Sequence, residues 1–247
     1  MLIHESSYKK GLVALVHRAR LRGILRELRS IDLPESGSLA DFGCSNGFIL
    51  GELTAVVLPR AGWTCHGFDH NKKLLALARQ RAIPGATFEP IDLNLPASRP
   101  PSQFTLCVSF ETLEHTGDFR RAISTIVGSC APGGWVLVSV PVEKGLPGLV
   151  KLLARPLVRR RPYGTFFDGR SKISYLAAVA MGRDLERFRL PARKAWGPHL
   201  GFDCDRFEDY LQDEILRTGA IRLVRRSKTF AGFNRLYLLR RLDETAD

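Results

Sequence analysis

Nine residues near the start of the chain constrain it most: Leu39-Ala40-Asp41-Phe42-Gly43-Cys44-Ser45-Asn46-Gly47. A short apolar strand runs into a tight loop and then into a helix over Gly47 to Leu58, which Pro59 ends. Glycines at 43 and 47 permit positive φ and close backbone approach. The first turn of the new helix offers N–H groups suited to an anion. The loop is not a phosphate loop, because Gly47 is followed by Phe48 and Ile49 where a Walker loop needs lysine. Nor is it a dinucleotide fingerprint, since its glycines are spaced GxxxG and Asp41 stands two places before the first. An acid there suits a cationic amine or a hydroxyl better than a pyrophosphate. A ligand with an α-amino acid at one end and a nucleoside at the other satisfies both observations.

The rest of the pattern says what carries this loop. Strand-like runs at Ser38–Phe42, Trp63–Asp69, Ala86–Pro90, Gln103–Phe110 and Trp135–Val140 alternate with helix-like runs at Asn71–Arg81 and Asp118–Cys130. That alternation predicts βαβ units around a parallel sheet. The pattern stops over residues 143–203, rich in Pro, Gly and Arg, with one helix-like piece near Lys172–Phe188. It resumes as a helix at Asp205–Arg217 and a closing hairpin, Ile221–Phe230 and Phe233–Arg241, turned at Ala231-Gly232. Residues 8–30 read as a basic amphipathic helix with Leu12, Leu15, Val16, Ala19, Gly23 and Ile24 on its inner face. A chain of 247 residues can bury a substantial core without staples. The expectation is one α/β domain: an extension (1–37), a ligand-binding core (38–142), an inserted lid (143–203), and a last helix with its hairpin (204–247).

Two further sites fall where the ligand's nucleoside would lie. Asp69 ends the second strand, 22 residues after Gly47. An acid at that place accepts hydrogen bonds from both ribose hydroxyls, and His70 beside it flanks the base. Asp92-Leu93 follows the third strand, where the carboxylate can accept from an adenine amino group and the neighbouring N–H can donate to the ring.

With these residues in place the chain resembles a class I S-adenosylmethionine-dependent methyltransferase, nearest to the small-molecule group that includes ubiquinone-biosynthesis methyltransferases. The Asp41–Gly47 loop is similar to the family's glycine motif, with Asp69 and Asp92 as its ribose and adenine acids. Ser109-Phe110-Glu111-Thr112-Leu113-Glu114-His115 is similar to the motif after strand four, and Ala131-Pro132-Gly133-Gly134 to the turn before strand five. The resemblance runs from about Ser38 to Val142 and from Asp205 to Leu242. It implies a Rossmann-like fold with a mainly parallel seven-stranded sheet and a C-terminal antiparallel hairpin. It implies S-adenosyl-L-methionine as cofactor, held by Asp41, Gly43, Cys44, Ser45, Gly47, Asp69, His70, Asp92, Leu93 and Phe110. The family often has glycine where Ser45 stands, and a side chain there can donate to the cofactor's carboxylate.

Methyl transfer from a sulfonium is an in-line displacement, and orientation alone is worth roughly 7–11 kcal/mol. An acceptor hydroxyl also gains from a general base. His115, His199 and Glu111 are the candidate acceptor-side groups: His115 and Glu111 follow strand four, and His199 precedes the last helix. No [DN]PP[YF] motif follows strand four and no Pro-Cys dipeptide occurs. O-methylation of a small molecule, lipid- or glycan-linked acceptors included, is therefore the default expectation, with N- and C-methylation open. The competing readings are an RNA or protein methyltransferase that uses its basic segments on a polyanion, and a silent scaffold that keeps the fold.

The charge is uneven. The chain carries +12 at neutral pH, and thirteen basic residues face three acidic ones between Lys144 and Trp196. Between Lys9 and Arg29 seven basic residues stand against one acidic. Leu146, Leu149, Val150, Leu153 and Leu157 share one helical face, with Lys151, Arg155 and Arg159 on another and Pro156 interrupting. Such a segment suits an anionic bilayer surface. Nucleic acid is less favoured, since few aromatics interleave the basic residues. The uncharged window Ala122–Val142 contains Pro132-Gly133-Gly134 and reads as helix, turn and strand rather than a span. Five scattered cysteines without a CxxC predict reduced, buried thiols and no metal site. The expected location is cytoplasmic, with a peripheral position at the inner membrane face as its variant. The sequence leaves the oligomeric state open.

Overall fold

The computed structural model describes residues 11–57, 62–95, 100, 102–158, 172–189, 201–229 and 232–243. Its centre is β1 (Gly37–Phe42), which pairs in parallel with β2 (Trp63–Asp69) on one side and β4 (Phe104–Phe110) on the other. Beyond them lie β3 (Ala86–Pro90), β5 (Cys130–Pro141), β6 (Ile221–Thr229) and β7 (Asn234–Arg241), in the order β3-β2-β1-β4-β5-β7-β6. Strands β1 to β5 are parallel; β7 runs antiparallel to both β5 and β6. Strand order reverses between β1 and β4, and a ligand crevice forms at the carboxyl ends of the strands at such a switch point. Gly43 and Glu111 are the first residues past those two strands.

Each face of the sheet has its own core. Helices α1 (Gly11–Arg29), α2 (Phe48–Val57) and α3 (Lys72–Gln80) cover one face, where Ile24, Leu28, Leu50, Leu53 and Leu75 meet Leu39, Leu106 and Val108. On the other face α4 (Phe119–Gly128) and α7 (Cys204–Tyr210) bring Ile123, Ile126 and Phe207 against Ala40, Phe42 and Val138. Local chemistry sets the ends: Asn71 caps α3 and Asp118 caps α4 by accepting from backbone N–H groups. The insertion builds α5 (Gly145–Val158) and α6 (Lys172–Ala180), with a small separate core of Leu152, Tyr175, Val179, Leu185 and Phe188.

Several expectations are corrected. Leu15 is 46% exposed, not inward, because Ile24 and Leu28 supply the contacts that seat α1. Pro132-Gly133-Gly134 lies inside β5, where the pairing skips from Phe104↔Cys130 to Leu106↔Trp135. Helix α5 continues through Pro156. The helix expected at Asp205–Arg217 is α only to Tyr210; a π turn at Leu211–Ile215 and a 3₁₀ turn at Leu216–Thr218 follow, ending at Gly219 with φ +75°. Pro59, residues 8–10 and Ala231 lie outside the described residues. All five cysteines are free and buried. Among the described residues no helix is long and apolar enough to cross a membrane.

Candidate functional site

The glycine loop is tied to the end of β2. The N–H groups of Gly43 and Cys44 both donate to the Phe68 carbonyl, at 2.7 and 3.0 Å. Ser45 N–H donates to Asp69 Oδ2 at 2.9 Å, and the other carboxylate oxygen accepts from Asn71 N–H at 2.8 Å. Gly47 N–H returns to the Cys44 carbonyl, and Phe48 N–H to Asn46 Oδ1. The backbone donors expected to bind an anion are thus spent within the protein at these five positions. Gly43 stands at φ +88°, and a Cβ there would lie 2.1 Å from Thr112 Oγ1. Glycine at 43 is what lets the loop and the segment after β4 close on one another.

Above the loop lies a cleft of about 290 Å³. Phe42, Phe68, Leu74, Ile91, Leu93 and Phe110 give it apolar walls; Gly43, Ser45, Asp69, His70, Glu111, Thr112 and His115 complete its lining. Of the expected site residues, Gly43, Ser45, Asp69, His70, Leu93, Phe110, Glu111 and His115 meet there. Asp41, Cys44, Gly47 and Asp92 are not among its lining residues, and each has a reason. Asp41 lies on the face of β1 opposite Ala40 and Phe42, only 3% exposed. Cys44 is buried in the core beneath the loop. Gly47, at φ +75°, serves the turn and the close approach of Ala78. Asp92 Oδ1 accepts from both the backbone and side-chain nitrogens of Asn94, which makes it a staple of its own loop. The three acids therefore end three adjacent strands, but only Asp69 faces the cleft. His199 lies outside the described residues.

The loop also gathers three polar atoms without a hydrogen-bond partner: Asp41 Oδ2, Ser45 Oγ and Asn46 Nδ2. Burial, reinforced by the charge of Asp69, pushes the Asp41 carboxyl up to about 7. Burial followed by the nearby Asp41 also drives the Cys44 thiol far up, so it is no nucleophile. Of Asp41, Ser45 and Asn46 only Ser45 lines the cleft, so its hydroxyl joins Asp69 and Glu111 as the polar groups offered to a ligand, and the apolar slot beyond them fits a flat base.

The acceptor side centres on Glu111. Its backbone has φ +53°, a region that non-glycine residues enter only when the surroundings hold them. Ser139 Oγ accepts from its N–H at 3.3 Å. Arg20 of α1 pairs with Oε2 at 3.0 Å, and Asn234 of β7 donates to Oε1. Arg20 and Asn234 are absent from the sequence-based candidates. Arg20 carried a readable signal: it lies four residues after Val16 and four before Ile24, a charge on the inward face of an amphipathic helix. Asn234 carried none. Glu114 is buried behind Glu111, and burial first, then Glu111, pushes its carboxyl well above the usual range. Arg189 reaches in from the insertion to donate to the carbonyls of Glu114 and Thr116.

Comparison with known proteins agrees with this geometry. A family model described as a methyltransferase domain matches residues 15–188. A ubiquinone biosynthesis O-methyltransferase of Bordetella bronchiseptica is 30% identical over 151 residues, which cover 59% of this chain and 61% of the relative. A ribosomal protein L11 methyltransferase of Idiomarina loihiensis is 29% identical over 126 residues, covering 50% of this chain and 41% of that one. The chain thus matches less than two thirds of the length of either curated relative. The crystal structure of magnesium protoporphyrin IX methyltransferase from Synechocystis PCC 6803, with bound SAH, superposes with a TM-score of 0.59. It shares 16% identity and covers 96% of this chain and 92% of its own.

Proposed function

The chain belongs to the class I S-adenosylmethionine-dependent methyltransferases, and we propose that it methylates a hydroxyl of a small molecule bound beside Glu111 and His115. The observation that carries the reading is the cleft at the carboxyl ends of β1, β2 and β4, where Ser45 and Asp69 stand against an apolar slot. S-adenosylmethionine bound there would supply a methyl group already activated on a sulfonium. Ser45, which lines the cleft, would meet its amino-acid end, with Asp41 and Asn46 buried in the loop behind it. Asp69 retains lone pairs for ribose hydroxyls, and Phe68, Ile91 and Leu93 would sandwich the base.

On the acceptor side the protein's own task is alignment, exclusion of water and management of one proton. Glu111 is fixed on both oxygens, so it presents a rigid hydrogen-bond acceptor to an incoming O–H. His115, at the end of a 3₁₀ turn over Leu113–His115, lines the same cleft and can take the proton. The L11 methyltransferase relative keeps a protein acceptor as the alternative.

Isothermal titration with S-adenosylmethionine tests the first half. The expectation is stoichiometric binding, weakened about tenfold in a Ser45→Ala variant, as one lost charge-assisted hydrogen bond implies. No heat and no thermal shift for the native chain would leave a silent scaffold. Methyl transfer to a panel of phenols, amines and L11-type peptides tests the second half.

A further inference from the structure

We propose that the α5–α6 pair is a docking element that settles on an anionic lipid bilayer. The inference goes beyond the methyltransferase reading and does not depend on it. Ten large apolar side chains are exposed among the described residues, and six lie here: Leu146, Val150, Leu153, Ile173, Leu176 and Met181. Their spacing is helical. Leu146, Val150 and Leu153 fall on one stripe of α5, and Ile173 and Leu176 on one stripe of α6, with Met181 just past its end. Scattered exposed leucines need no explanation, but two such stripes in one helix pair do.

The inner faces of both helices already have partners. Leu152, Tyr175 and Val179 pack together with Leu185 and Phe188, and the rings of Tyr175 and Phe188 meet edge to face at 5.2 Å. The outer stripes are therefore surplus to folding. The pair is also fixed to the body by polar ties on its inner side. Lys144 Nζ bridges Asp203 and Asp205 at 2.7 and 2.6 Å, Lys151 Nζ donates to the Phe233 carbonyl at 2.8 Å, and Arg120 forks onto Glu186 at 2.8 and 3.2 Å. A docked pair would thus hold the whole enzyme against the surface.

Shape and charge choose the occupant. Leu146, Leu153 and Ile173 are 74, 73 and 76% exposed, so they protrude and do not line a groove. Protruding apolar side chains suit a soft bilayer rather than a rigid partner helix. The segment from Lys144 to Trp196 holds thirteen basic and three acidic residues; Lys144, Lys151 and Arg189 are committed inward, and the excess carried by the other ten attracts anionic headgroups and repels a second copy of itself.

Flotation of the full chain on vesicles of phosphatidylcholine alone, and of phosphatidylcholine mixed with phosphatidylglycerol, tests this. The chain should float only with the anionic vesicles, and progressively less as salt is raised. A Leu146→Ser/Leu153→Ser/Ile173→Ser variant should lose about tenfold or more of the bound fraction, with unchanged circular dichroism and unchanged S-adenosylmethionine affinity. Equal recovery with both vesicles, or with neither, overturns the proposal, as does a variant that floats like the native chain. Light scattering that shows a native dimer and a monomeric variant assigns the stripes to a second copy instead. Loss of cofactor binding in the native chain would sink the methyltransferase reading and leave the flotation result standing.

Discussion

Ser45 shows how one residue trades stability for a ligand contact. It holds φ +53° in a loop where glycine would incur no steric penalty, and its hydroxyl has no partner. The left-handed conformation costs a side-chain-bearing residue roughly 1–2 kcal/mol, partly offset because glycine loses more entropy on folding. Ser45→Gly should therefore stabilise the fold by up to about 1 kcal/mol in urea melts while weakening S-adenosylmethionine binding several-fold by calorimetry. Asp41 makes a second prediction. Its carboxyl titrates at about 7 in the folded protein against an ordinary 3.8. Between those values the native state holds a proton that the unfolded chain releases, so stability falls as pH rises across the window. Asp41→Asn should flatten the decline between about pH 4 and 7, read from urea midpoints at several pH values. Glu114 is shifted in the same direction, so the variant removes only part of the slope. A pH profile identical to the native one would show that Asp41 is ionised in the fold.

At the scale of elements, the site is a meeting of segments distant in sequence. Glu111 follows β4, yet its side chain is held by α1 and β7 and its N–H by β5. The Arg20–Glu111 pair is nearly buried, with side chains 8 and 18% exposed. Removing one partner of such a pair strands the other, at about 3–5 kcal/mol. Arg20→Met should cost about that much in chemical denaturation, and adding Glu111→Gln should recover most of it. Additive losses in that double-mutant cycle would mean the pair is not coupled. The loop and the post-β4 segment meet as tightly at Gly43, where a methyl group would strike Thr112. Gly43→Ala should destabilise by about 3 kcal/mol and abolish measurable cofactor heat, whereas Gly85→Ala, with open space around it, carries only the backbone strain of its φ of +68°.

For the molecule as a whole, the two sheet cores and the small α5–α6 core are unequal. The sheet cores draw on all seven strands and the helices on both faces, whereas the inserted pair rests on a handful of side chains. Local opening follows local burial. Hydrogen exchange should protect β1, β4 and β5 longest and release α5–α6 well before global unfolding. Co-exchange of α5–α6 with the central strands would mean that the polar ties through Lys144 and Arg120 couple the insertion to the body more strongly than its own core suggests.

The periodic elements were legible because they obey local rules. Short apolar runs alternating with helix-like runs mark strands of a parallel sheet, and a glycine loop after the first strand marks the ligand end of that sheet. Gly43 signalled its role within a few residues of itself. What the linear order could not disclose was direction and reach. Asp41 and Asp92 stand at the right strand ends, but one side chain turns beneath the loop and the other closes its own turn. Arg20 and Asn234 converge on Glu111 from opposite ends of the chain. Side-chain direction and long-range convergence are set by how the layers pack, and packing is a property of the assembled sheet and helices, not of any local run of residues.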